Sequence, residues 1–120
     1  MKIAVTSVGT DLDAEVDPRF GRAAWFLIVD PDTMAVTPVE NQQNLNLPQG
    51  AGIQAGKTIV DNGVDVLITG NCGPKAYRVL ESAGVQVVIG ASGQARDVIQ
   101  RFQNGELKST DGPNVDGHWV

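Results

Sequence analysis

The sequence predicts a single α/β domain in three layers, with a mixed five-stranded sheet between helices on both faces. Three observations carry this expectation. Apolar runs of strand length and segments of helical period succeed one another in the order β-β-β-α-β-α-β-α. The second strand is tied to its neighbours by hairpin-type connections, whereas the later strands are separated by helices and need right-handed parallel crossovers. A length of 120 residues with 42% hydrophobic and 19% charged residues suits one core without staples. The spatial order 3-2-1-4-5, with strand 2 antiparallel, satisfies all three.

The elements follow in turn. Ile3 to Val5 reads as a short buried strand, and residues 7–22 as a long loop holding four acidic residues and two arginines. Trp25 to Val29 is a continuous apolar run suited to a central strand. Pro31-Asp32-Thr33 signals a turn, and Met34 to Val39 returns as a strand that Pro38 places at an edge. Residues 41–50 form a polar loop. Ile53, Ala55, Ile59 and Val60 mark one helical face, closed by Asn62-Gly63. Val66 to Ile68 is a buried strand, and Pro74 opens a helix whose apolar positions are Ala76, Val79, Leu80 and Ala83. Val85 to Ile89 is the last strand. Ala95, Val98, Ile99 and Phe102 give the last helix. Residues 1–108 form the expected domain, and 109–120 a polar, turn-rich, flexible tail.

Composition excludes several functions. A net charge of −5 argues against broad nucleic-acid binding. One cysteine, Cys72, rules out an intrachain disulfide, and with one histidine, His118, it cannot complete a four-ligand zinc site. No window approaches a membrane span and the apolar run at the N-terminus is too short for a signal peptide, so a cytoplasmic location is expected by elimination; a monomer is expected as well. Residues 51–58 (AGIQAGKT) imitate a phosphate-binding P-loop but miss its register, because Gly56-Lys57-Thr58 would need glycine at position 51. The first strand carries no carboxylate for a two-metal nuclease, and His118 has no Ser or Cys partner in a recognisable arrangement. No catalytic residues are expected, and no turnover.

In the expected topology, strands 1 and 4 part company at a switch point, where open α/β sheets bind ligands. Three loops meet there: Ser7 to Arg22, Pro48 to Ile53, and Thr69 to Pro74. Two helix starts, at Gly50–Ile53 and Gly73–Lys75, would present free N–H groups to one crevice, a setting suited to anions. Arg19, Arg22 and Lys75 would add charge. Each residue also has a plainer reading. Gly50, Gly52 and Gly73 serve equally as turn and cap residues, and Arg19 and Arg22 as partners of Asp11, Asp13, Glu15 or Asp17 on a solvated loop. Lys75 fits an exposed first helical turn, Phe20 a packing anchor, and Cys72 a small buried hydrophobe.

Three ordered runs carry a resemblance. Asp17-Pro18-Arg19-Phe20-Gly21-Arg22-Ala23 precedes an aromatic strand. Gly50-Ala51-Gly52-Ile53 comes second. Gly70-Asn71-Cys72-Gly73-Pro74-Lys75-Ala76 comes third, followed by Leu80 and Ala83-Gly84-Val85. Together they resemble the dinitrogenase iron–molybdenum cofactor biosynthesis domain family over roughly residues 1–105. The resemblance implies a ribonuclease-H-like topology. It also implies non-covalent binding of a metal–sulfur cluster: a molybdenum–copper sulfide cluster here, with iron–molybdenum cofactor or its precursors in relatives. Many relatives carry histidine just before the Gly-x-Gly run, where this chain has Gln49, so an imidazole bond to metal is excluded there.

The side-chain census agrees with such cargo. So few metal-binding side chains cannot cage a cluster, which must bring its own sulfide. The expected grip comes from Arg19, Phe20, Gly21, Arg22, Gln49, Gly50, Gly52, Ile53, Asn71, Cys72, Gly73, Pro74 and Lys75, mostly through amides and cations. A second reading is a regulatory or interaction module that docks a partner ATPase through the same edge. A third, an enzyme acting on small anions, lacks an acid–base pair.

Overall fold

Alternation within each strand divides the core between the two faces of the sheet. The computed structural model describes residues 1–41 and 50–114. In β1 (Ile3–Ser7), Ala4 packs with one apolar cluster and Ile3 and Val5 with the other. β2 (Trp25–Asp30) sends Phe26 and Ile28 to the first and Leu27 and Val29 to the second. All the core positions of both strands are buried, which is why they read as continuous apolar runs. β3 (Ala35–Glu40) is largely exposed, and Pro38 sits on this edge strand, where its missing N–H costs no ladder bond on the open side.

β4 (Val66–Ile68) and β5 (Gln86–Val88) complete the sheet, whose order is β3-β2-β1-β4-β5. β2 runs antiparallel to β1 and β3, while β4 runs parallel to β1 and β5. The order and directions are those the sequence predicts. α1 (Ala51–Asp61) and α2 (Pro74–Ser82) cover the first cluster through Ala55, Ile59, Ala76 and Leu80. α3 (Ala95–Gln103) covers the other through Ala95, Val98 and Ile99.

Several strand boundaries differ from expectation by one or two residues. β1 runs on to Ser7, because its pairing with Trp25 continues past Val5. Met34 lies in the turn before β3, at φ 62°, with its N–H on the Asp30 carbonyl at 2.7 Å. Val85 precedes β5, and its N–H goes to the Leu80 carbonyl at 3.0 Å to close α2. Ile89 lies just beyond the end of β5.

Candidate functional site

The loop after β1 and the loop after β4 leave the same edge of the sheet, since Val5 pairs with Ile68. β3 ends there too, with Glu40 opposite Trp25 and Trp25 opposite Ser7. The two loops are stitched together. Arg19 and Asn71 form a parallel bridge, and the Phe20 N–H donates to the Asn71 carbonyl at 3.2 Å. The Asn71 side-chain amide donates to the Pro18 carbonyl at 2.9 Å. Below this seam, the Thr6 hydroxyl donates to the Asp17 carbonyl at 2.8 Å and lies 2.9 Å from the Thr69 hydroxyl. One hydroxyl proton serves one contact, so Thr69 supplies the second. Asn41, buried at the end of β3, donates to the carbonyls of Gly21 and Ala23 at 3.1 and 2.8 Å and so fixes the turn that carries Arg22.

Three helices start at this edge, and they are not alike. α3 is sealed: the Ala95 and Arg96 N–H groups donate to the carbonyls of Ala14 and Leu12, both at 2.9 Å. The Val16 N–H reaches back to Gly93 at 2.8 Å. The acidic loop is thereby folded over α3, where Asp13 pairs with Arg96 at 3.4 Å. No N-cap of the three carries a side-chain bond, but at α1 and α2 no loop carbonyl among the described residues takes the place of Ala14 and Leu12. Gly50 caps α1 at φ 95°, a left-handed backbone that glycine accepts without strain. Among the described residues, the first-turn N–H groups of Ala51, Gly52 and Ile53, and those of Lys75 and Ala76, have no acceptor.

The expected site residues divide by what they expose. Arg19 and Lys75 are exposed, and their side chains pair with no carboxylate among the described residues. Arg22 is half-buried in the same loop as Arg19. Ile53 and Lys75 line a groove of about 390 Å³ between α1 and α2, together with Arg78, Val79 and Ser82. Pro74 takes the first position of α2. Phe20 is fully buried, its ring 5.7 Å from that of Phe26, so it anchors the first loop to the core. Cys72 is fully buried in the same cluster, and burial pushes its thiol up to about 12. Neither side chain is open to a ligand, and their backbone N–H groups are taken by the Asn71 carbonyl and the Asn114 side-chain oxygen. Gln49 lies outside the described residues.

Four positions escaped the sequence reading: Thr6, Asn41, Thr69 and Asn114. The first three are buried polar residues next to strand ends, a placement that hints at loop anchoring. Nothing local marks Asn114, whose partners lie more than forty positions away. Among the described residues no group of three His, Cys, Asp or Glu side chains could hold a metal ion, and no helix is long and apolar enough to cross a membrane.

Known proteins share this fold. The apo form of the orange protein from Desulfovibrio gigas superposes with a TM-score of 0.91 at 44% identity, covering 95% of this chain and 96% of its own. A NifB-type protein from Thermotoga, solved by NMR, gives a TM-score of 0.78 at 32% identity, with 97% and 98% covered. An uncharacterized protein of Methanocaldococcus jannaschii is 28% identical over 111 residues, 90% of this chain and 94% of its own. The family model described as dinitrogenase iron-molybdenum cofactor matches residues 1–105, which takes in both stitched loops and both open helix starts. The chain belongs to the dinitrogenase iron–molybdenum cofactor family.

Proposed function

We propose that this protein binds and carries a preformed metal–sulfur cluster, without covalent attachment and without turnover of its own. The observation that carries the reading is the contrast between helix starts. α3 is closed by the acidic loop, while α1 and α2 leave first-turn amides without acceptors beside Arg19 and Lys75. Amides and cations suit a polyanion. The first loop's acidic residues Asp13 and Glu15 are drawn to the α3 side, through Arg96 and Gln94. The buried, protonated Cys72 thiol suits a cluster that brings its own sulfide.

The cargo in this reading is a molybdenum–copper sulfide cluster. A thiomolybdate-type cluster is anionic and presents sulfide on its outside, so N–H donors and cations can grip it without forming a bond to metal. The crevice would also template its assembly from tetrathiomolybdate and copper, and the carrier would act as a cytoplasmic monomer. A second reading has one observation in its favour. The groove between α1 and α2 sets Lys75 and Arg78 beside apolar Ile53 and Val79, a surface on which a partner ATPase would dock.

The test is anaerobic. Folded protein is mixed with tetrathiomolybdate and copper, desalted, and assayed for molybdenum, copper, acid-labile sulfide and visible absorption. Co-elution of both metals with sulfide is expected; folded protein that retains neither metal overturns the carrier reading.

A further inference from the structure

The segment after α3 returns to the site. The Thr110 N–H donates to the Val87 carbonyl at 2.7 Å, extending the chain beside β5. The Tyr77 hydroxyl of α2 donates to the Thr110 carbonyl at 3.3 Å. Four residues later Asn114 clasps the loop after β4. Its N–H donates to the Cys72 carbonyl at 3.2 Å, and its side-chain oxygen accepts from the Cys72 N–H at 2.8 Å. Its side-chain amide donates to the Gly70 carbonyl at 3.4 Å and to the Asn71 side-chain oxygen at 3.1 Å. One exposed side chain thus bonds to three consecutive residues of a loop 42 to 44 positions away.

The bonded loop leads straight into α2. Gly73 is the N-cap, and Lys75 and Ala76 follow with open N–H groups. The Cys72 N–H belongs to a fully buried residue, so a loop that loses this acceptor must open locally to let the N–H reach water. Asn71 has a second role, since its side chain also holds Pro18. Asn114 therefore bears on both halves of the loop seam.

We infer that residues 110–114 are a strap over the binding loop, and that Asn114 is a positioning residue: it sets the backbone on which the α2 donors are aimed at an anionic ligand. This role rests on the carrier reading above. The strap itself makes few buried contacts, so its loss should leave the core intact.

The test compares the parent chain with Asn114→Ala, both loaded from tetrathiomolybdate and copper. Three readouts are taken: amide hydrogen exchange at Cys72, with Leu67 in β4 as internal reference; the urea midpoint; and the rate of cluster loss on dilution. The variant should show faster exchange at Cys72 but not at Leu67, and a nearly unchanged midpoint. It should lose the cluster about fivefold faster, the equivalent of one net hydrogen bond of about 1 kcal/mol. Cluster loss at the parent rate despite faster Cys72 exchange overturns the positioning role, as does unchanged Cys72 exchange. Failure of the parent chain to retain any cluster is a different result: it overturns the carrier reading and this role together.

Discussion

Gly70 lies so close to Pro18 that a Cβ on it would stand 2.8 Å from both the Pro18 Cα and the Pro18 carbonyl oxygen. The obstacle is backbone, not the end of a flexible side chain, so it cannot swing aside. Gly70→Ala must therefore part the two loops that Arg19, Phe20 and Asn71 join. A loss of about 1–3 kcal/mol is expected, the scale of overpacking in a tight site. Urea unfolding measures it, and a variant within 0.5 kcal/mol of the parent, on the scale of about ±0.5 for neutral surface changes, would contradict this contact.

Thr6 and Thr69 carry the next prediction. Both are fully buried. Thr6→Val removes the donor to the Asp17 carbonyl and the acceptor for the Thr69 hydroxyl, whereas Thr69→Val removes one contact and leaves the Thr6 hydroxyl on Asp17. Thr6→Val should cost about 2–3 kcal/mol and Thr69→Val about 1. The double variant should cost less than the sum, because the two share a bond. Equal single effects in denaturation would reverse the proton assignment.

The fold was legible because its signals were local. Trp25 to Val29 is apolar at every position, Pro38 marks an edge, and Pro74 opens a helix, so topology followed from connection lengths alone. The site was legible only in outline. Position in sequence says that residues 69–74 follow a strand, but not that Cys72 turns inward or that Phe20 fills the core beside Phe26. Nor does local pattern show Leu12 and Val16 lying beneath α3 while the loop backbone caps it, because those bonds span some eighty residues. Long-range polar contacts such as Asn114 to Cys72 leave no periodicity to read.

Burial of Cys72 makes a prediction in pH. Its pKa rises from 9.0 to about 12 through desolvation of the thiolate. The folded state thus holds the proton more tightly than the unfolded chain. That stabilisation is fully present below pH 9 and is lost as pH rises from 9 towards 12. The difference in unfolding free energy between the parent and Cys72→Ala should shrink over that window. In native protein at pH 8 the thiol should resist a disulfide reagent, and denaturant should release it. Fast labelling of folded protein would show that the thiol is reachable.

Charge reversal at the open helix starts separates a held anion from a bystander surface. Lys75 is exposed on the first turn of α2 and Arg19 on the loop bridged to Asn71, whereas Arg101 is exposed on α3, on the other face of the sheet. Lys75→Glu, Arg19→Glu and Arg101→Glu change net charge by the same amount, so any effect of the global field is common to all three. If the cluster sits between α1 and α2, the first two should weaken its retention about tenfold each, the scale of a charge-assisted hydrogen bond. Arg101→Glu should stay close to the parent. Raising the salt should narrow the gap, because exposed charges are screened beyond about 10 Å at 0.1 M. Equal losses in all three variants would mean that retention follows net charge, and the crevice between the two helices would no longer be the site.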